Sequence, residues 1–179
     1  MRKLANSELG RKSAEEFLHT EKNPIIIVLD NVRSLNNVGS VFRTADSFLL
    51  EAVYLCGITA KPPHREIRKT ALGATETVAW KHFNETLEAV KRLKQDNYQI
   101  IAIEQAEGST SLDLFTPDSK SRYALVFGHE VKGVNQEILN LCDVCIEIPQ
   151  FGTKHSLNIA VSVGVIVWDV ISKLSKNIN

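Results

Sequence analysis

Five short apolar runs, rich in β-branched residues, constrain this chain more than anything else in it. They are IIIVLD (25–30), AVYLCGI (52–58), YQIIAIE (98–104), YALVFG (123–128) and DVCIEIP (143–149). Unbroken runs of this kind suit strands buried on both faces of a parallel sheet, where neither face meets water. Each stops abruptly in a polar segment. Between the runs lie stretches with helical spacing: Val38, Val41, Phe42, Ala45 and Phe48 after the first, and Leu87, Val90 and Leu93 within 84–96. Strands alternating with helices predict an α/β fold with a mostly parallel sheet flanked by helices.

The last long segment, residues 156–174, is rich in Val and Ile, but strands rarely exceed about ten residues, so its length favours a helix. It is apolar on nearly every face, which predicts a helix buried in the fold or packed against another subunit. Ser162 and Asp169 interrupt it, so it is not read as a membrane span. Residues 1–22 are polar, with Leu4, Leu9, Phe17 and Leu18 as anchors. They are read as a short helical extension before a single domain at 23–179, with no signal peptide.

Lys plus Arg and Asp plus Glu are 21 each, so a nucleic-acid partner is not announced by bulk charge. The densest positive segment is local: Lys61, Arg65, Arg68 and Lys69 oppose only Glu66, just after Pro62-Pro63. Phosphate binding and a solvated loop both fit it. Cys142 and Cys145 form a lone C-x-x-C inside an apolar context, read as free thiols in a reducing cytoplasm rather than as a zinc site. His64, His82, His129 and His155 have no metal-ligand spacing, so no metal is expected.

Glycine placement removes several chemistries. No two glycines are two apart, so the dinucleotide fingerprint is absent. Gly128 and Gly133 are spaced as in a phosphate-binding loop, but Val134 and Asn135 stand where Lys and Ser or Thr are required. There is no G-x-S-x-G elbow for a hydrolase. What remains is a pair of strand-end loops, GHEVKG and PQFGTKHSLN, and the helix start near Asn37, read as the N-cap. Asn36, Ser40, Arg43 and Ser47 share one helix face there. A capped helix with a solvated Arg43 and a functional Arg43 are both open on spacing alone. Loops beyond strand carboxyl ends are where open α/β sheets hold ligands.

Three segments carry a resemblance: NNVGSVFRTADSF (36–48), LVFGHEVKGV (125–134) and IEIPQFGTKHSLN (146–158). They resemble, in order and separation, the motifs of the SpoU (TrmH) family of SPOUT methyltransferases, over residues 24–174. The resemblance implies S-adenosyl-L-methionine as methyl donor, an RNA ribose 2′-hydroxyl as acceptor, a homodimer, and a C-terminal deep trefoil knot, a rare exception to the usual connection rules. It implies a catalytic set of Asn37, Arg43, Glu130, Ser156 and Asn158, and donor contacts at Ile103, Gly128, Gly133, Ile148, Pro149 and Leu157. The family assigns base chemistry to the arginine matching Arg43. A guanidinium holds its proton tightly, so orienting the ribose and stabilising oxyanion charge is the alternative role.

The acceptor is expected to be tRNA before ribosomal RNA, because only about 22 residues precede the first strand and compact family members of this kind often act on tRNA. Arg65, Arg68, Lys69, Lys154 and His155 are the expected RNA contacts. A catalytically inert RNA-binding protein of the same fold, and a small-molecule-binding α/β domain, stand as alternatives.

Overall fold

A computed structural model describes residues 1–176 of the chain. Its centre is a seven-stranded sheet: β1 (Asn23–Asp30), β2 (Leu50–Cys56), β3 (Ala79–Phe83), β4 (Tyr98–Ile103), β5 (Thr110–Ser111), β6 (Arg122–Phe127) and β7 (Val144–Glu147). The spatial order is β3-β2-β1-β6-β4-β7-β5, and every pairing is parallel. Five of the seven are the apolar runs read from the sequence.

Alternation along β1 explains why both its faces are apolar. Ile25, Ile27 and Leu29 enter one core with Val38, Val41, Phe42 and Ala45 of α2 (Leu35–Ser47) and Val163, Ile166, Val167 and Val170 of α7 (Ile159–Lys176). Ile26 and Val28 enter the other, against Ala89, Val90 and Leu93 of α5 (Thr86–Gln95). Layers of helix on each face of a parallel sheet satisfy every strand at once. The expected fold class is borne out.

Several local readings change. The N-cap of α2 is Ser34, whose hydroxyl accepts from the Asn37 amide at 3.3 Å; Asn37 lies inside the first turn. Its side chain is thereby free for tertiary contacts. The basic segment after Pro63 is ordered: it forms α3 (Arg65–Ala71), followed by α4 (Ala74–Thr77) and the edge strand β3. Ile67 and Ala71 anchor α3 in the core. Gly39 lets α3 approach α2, because a Cβ there would lie 2.1 Å from Thr70 Oγ1 and 2.3 Å from the Ile67 carbonyl oxygen.

Before the sheet lie a 3-10 turn (Asn6–Glu8) and α1 (Ala14–His19). A reciprocal Ser13–Glu16 capping box starts α1, and of the four expected anchors only Phe17 is buried in the core, while Leu4, Leu9 and Leu18 are exposed. The short α6 (Gln136–Leu139) follows the loop after β6. On α7, Val161, Val165 and Trp168 remain exposed, at spacings that place them on one face. Among the described residues no helix is long and apolar enough to cross a membrane.

Candidate active site

The carboxyl ends of β4, β6 and β7 open onto a cavity of about 790 Å³. Ile103 ends β4, Gly128 follows β6 and Ile148 follows β7, and all three line it. The loop 128–134 forms one wall. It closes on itself through paired bonds between His129 and Gly133, amide to carbonyl in both directions at 3.0 and 2.8 Å. Gly133 adopts φ +68°, a conformation that favours glycine, and lines the cavity too. Gly128 is required for a different reason: a Cβ there would lie 2.1 Å from both the Gly133 carbonyl carbon and the Val134 nitrogen. The segment 148–158 forms the facing wall, with His155, Ser156, Leu157 and Asn158 lining it. Pro149 sits between Ile148 and Gln150 but stays out of the wall.

Hydrogen bonds join three distant parts of the chain beside this cavity. Asn158 Nδ2 donates to Asn37 Oδ1 at 3.2 Å, and Asn37 Nδ2 donates to Glu130 Oε1 at 3.4 Å. The Glu130 carboxylate also accepts from the Arg33 and Ser34 amides at 3.0 and 2.9 Å, at the amino end of α2. Asn158 Oδ1 accepts from the Ala160 amide at 2.9 Å, capping α7. One polar chain thus ties the start of α2, the loop after β6 and the start of α7.

Burial, the largest single effect on Glu130, raises its pKa. The amides of Arg33, Ser34 and Glu130 itself, with the Asn37 side chain, outweigh it and hold the carboxyl below its ordinary range. A depressed folded pKa means that the stabilisation is present above the unfolded pKa and is lost as pH falls through the folded one. Glu130→Gln is expected to flatten the acid limb of stability below about pH 5, where the unfolded carboxylate begins to take up its proton, measured as urea midpoints. A limb unchanged from wild type would remove this role.

Arg43 stands apart. It is exposed and lines a separate groove with Ser40, Ser47, Lys69 and Thr70, between α2 and α3. A further groove is lined by Pro63, His64, Arg65 and Arg68. The cations expected to meet RNA therefore fall in two places, α3 and the outer rim of the 148–158 segment, where Lys154 is exposed and His155 reaches the cavity.

Some participants are missing from the sequence reading. Asp30, at the end of β1, is 2% exposed, and its carboxylate accepts from Thr86 Oγ1 at 2.5 Å, Asn31 Nδ2 at 2.8 Å and the Asn135 amide at 3.1 Å. Glu104, immediately after β4, lines the cavity and accepts from the Val134 amide at 2.9 Å. A carboxylate ending a buried strand was the available signal for both. Phe151, 97% exposed beside the basic rim, was signalled only by an aromatic residue in a polar loop. Burial pushes the Cys142 thiol up to about 12 and raises that of Cys145 as well, so both are inert as thiolates at neutral pH. Among the described residues no group of His, Cys, Asp and Glu could hold a metal ion.

A parallel sheet with glycine-bearing loops closing a cavity beyond its strand carboxyl ends defines an α/β protein for a nucleoside-sized ligand. The profile of the SpoU rRNA Methylase family matches residues 24–168, and the chain belongs to that family. It is 30% identical over 174 residues to the 23S rRNA (guanosine-2'-O-)-methyltransferase RlmB of Haemophilus ducreyi, covering 97% of this chain and 70% of that protein. It is 28% identical over 163 residues to the tRNA (guanosine(18)-2'-O)-methyltransferase of Borreliella burgdorferi, covering 91% and 73%. The AdoMet-bound rRNA methyltransferase from Sinorhizobium meliloti superposes with a TM-score of 0.78 at 25% identity, over 94% of this chain and 62% of that one. The resemblance read from three short motifs is borne out.

Proposed function

We propose that this protein methylates a ribose 2′-hydroxyl in RNA, using S-adenosyl-L-methionine. The observation that carries the reading is the Asn158–Asn37–Glu130 chain, which gathers all three motif segments at one cavity. The cavity fits the donor in kind. Its volume suits a nucleoside, and Ile103, Ile148 and Leu157 offer apolar contact. Glu104, Glu107, Glu130 and Glu147 line it with carboxylates, favourable to a cationic ligand. When bound, the donor supplies an electrophilic methyl group on a sulfonium sulfur.

The chain's own residues do the positioning, the main contribution to such a displacement. Glu130 fixes the loop 128–134 against α2, and Asn37 transmits that placement to Asn158. Ser156, on the cavity wall, is placed to hydrogen-bond the ribose. Arg43, with Lys69 across its groove, holds backbone phosphate and stabilises charge developing on the ribose oxygen. Because Arg43 lies outside the main cavity of its own chain, the assignment calls for a second copy that sets its Arg43 beside this cavity. The exposed Val161, Val165 and Trp168 stripe on α7 offers it an apolar face. Equilibrium sedimentation at micromolar concentration is expected to give a dimer; a monomer would sink this part. In this reading residues 23–179 are the catalytic domain, the 125–158 segments form the trefoil crossing, 1–22 are an extension, and the protein works in the cytoplasm.

tRNA is taken as the first acceptor and ribosomal RNA as the second. Relatives of both kinds match at nearly equal identity, so an assay with each RNA decides. Mapping ribose methylation in total RNA from a deletion strain against wild type names the site. No missing site would favour an inert RNA-binding protein. Exposed Arg65 and Arg68 on α3 provide the phosphate contacts. Charge reversal at both is expected to weaken RNA binding about tenfold or more and to lower the salt slope by about one per lost contact. Gel shifts at several salt concentrations measure this, and unchanged binding excludes the patch.

A further inference from the structure

The two residues that follow β4 belong to none of the three motif segments, yet each holds a different wall of the main cavity. Glu104 holds the first wall. Its Oε2 accepts from the Val134 amide at 2.9 Å and its Oε1 from the Gln105 amide at 2.8 Å. Gly133 makes room for it, since a Cβ there would lie 2.2 Å from Glu104 Oε2. The 128–134 loop is internally paired, so pinning its end pins the whole wall.

Gln105 reaches the opposite way. Its Nε2 donates to the His155 carbonyl oxygen at 2.8 Å. Among the described residues, no other hydrogen bond ties residues 150–157 to the rest of the protein. That segment carries Ser156 and Leu157, both on the cavity wall. Its neighbours on either side are held firmly, by β7 before it and by the Asn158 cap after it. The segment between them hangs on one side-chain amide.

We propose that Gln105 is a positioning residue, a latch that holds the 150–157 segment in the shape the methyl donor requires, with Glu104 bracing the facing wall from the adjacent position. The proposal rests on the donor-binding reading above. Its physical basis is preorganisation: a segment ordered before the ligand arrives does not charge its ordering entropy to binding. A single tether is also reversible, so the same bond opens for donor entry and product release. Gln105 itself is exposed and lines the cavity beside Glu104, so exchange measured without ligand separates the tether from any direct contact with the donor.

Gln105→Glu is the informative variant, because it keeps the size, removes the donor and sets a carboxylate against a carbonyl oxygen. Hydrogen exchange on the ligand-free variant is expected to quicken at amides 150–157 and to stay at wild-type rates in 128–134, with an unchanged thermal midpoint. Affinity for S-adenosylhomocysteine, measured by calorimetry, falls about tenfold, the loss of one hydrogen bond with charge repulsion added. In turnover, KM for the methyl donor rises while kcat at saturating donor is kept. Glu104→Gln, which leaves one amide facing an NH2 group, moves the faster exchange to 128–134 instead. If wild-type protein binds no S-adenosylhomocysteine, the donor reading fails and the latch fails with it. If wild type binds it and Gln105→Glu binds equally well with unchanged exchange, the latch is overturned and the donor reading stands.

Discussion

Arg43→Ala is expected to lower kcat/KM for methyl transfer by about 10²–10³-fold, the usual cost of removing a group aimed at developing negative charge. Its interpretation is unusually clean because the side chain supports nothing else. It is exposed, and among the described residues its guanidinium makes no hydrogen bond or ion pair. A surface change of this kind shifts stability by no more than about 0.5 kcal/mol, so the thermal midpoint should hold. Donor binding should also hold, since Arg43 lines the α2–α3 groove and not the main cavity. Arg43→Lys keeps the charge but loses the planar fork, and is expected to recover only part of the rate if two phosphate or ribose oxygens are held together. Near-normal turnover by Arg43→Ala, with RNA binding intact, would sink the assignment.

Gly128→Ala acts on the other half of the site. A methyl group there would collide with backbone atoms of Gly133 and Val134 at 2.1 Å, and backbone cannot swing aside as a flexible side chain can. Either the 128–134 loop moves or the end of β6 does, and both line the cavity. Overpacking of this kind costs about 1–3 kcal/mol, and about 2–4 °C of thermal midpoint per kcal/mol in a chain this size. The larger effect is on binding: calorimetry with S-adenosylhomocysteine is expected to detect none. Gly152→Ala is the matched control, because a Cβ at Gly152 meets nothing within 4 Å. Equal donor affinity in the two variants would show that loop closure at Gly128 does not shape the pocket.

The elements that were legible are those whose burial leaves a mark in composition. β1, β2, β4 and β6 are apolar runs because water reaches neither face along most of their length, and β7, half-buried apart from Ile146, keeps the same pattern more weakly. β3 escaped notice since it is the sheet edge: Ala79 and Lys81 are exposed, and AWKHF carries no apolar run. α3 was hidden by its charge. Only Ile67 and Ala71 face the core, while Arg65, Arg68 and Lys69 stay in solvent. The start of α2 shows the limit most plainly. Asn37 has the composition of an N-cap, but Ser34 takes that role, and Asn37 spends its amide on residues 93 and 121 positions away.

By itself the sequence determined the fold class, the strand-end position of the ligand loops and, through three motifs, the family. Local rules reach that far because burial, turn chemistry and motif spacing act on neighbours in the chain. Only the tertiary structure decided that Glu130, Asn37 and Asn158 form one hydrogen-bonded chain, that Arg43 lies in a different groove from the main cavity, and that, among the described residues, Gln105 makes the one hydrogen bond tethering residues 150–157. Those facts depend on which strand lies beside which. The order β1-β6-β4-β7 brings together carboxyl ends that are far apart in sequence, and no periodicity within any one segment encodes that adjacency.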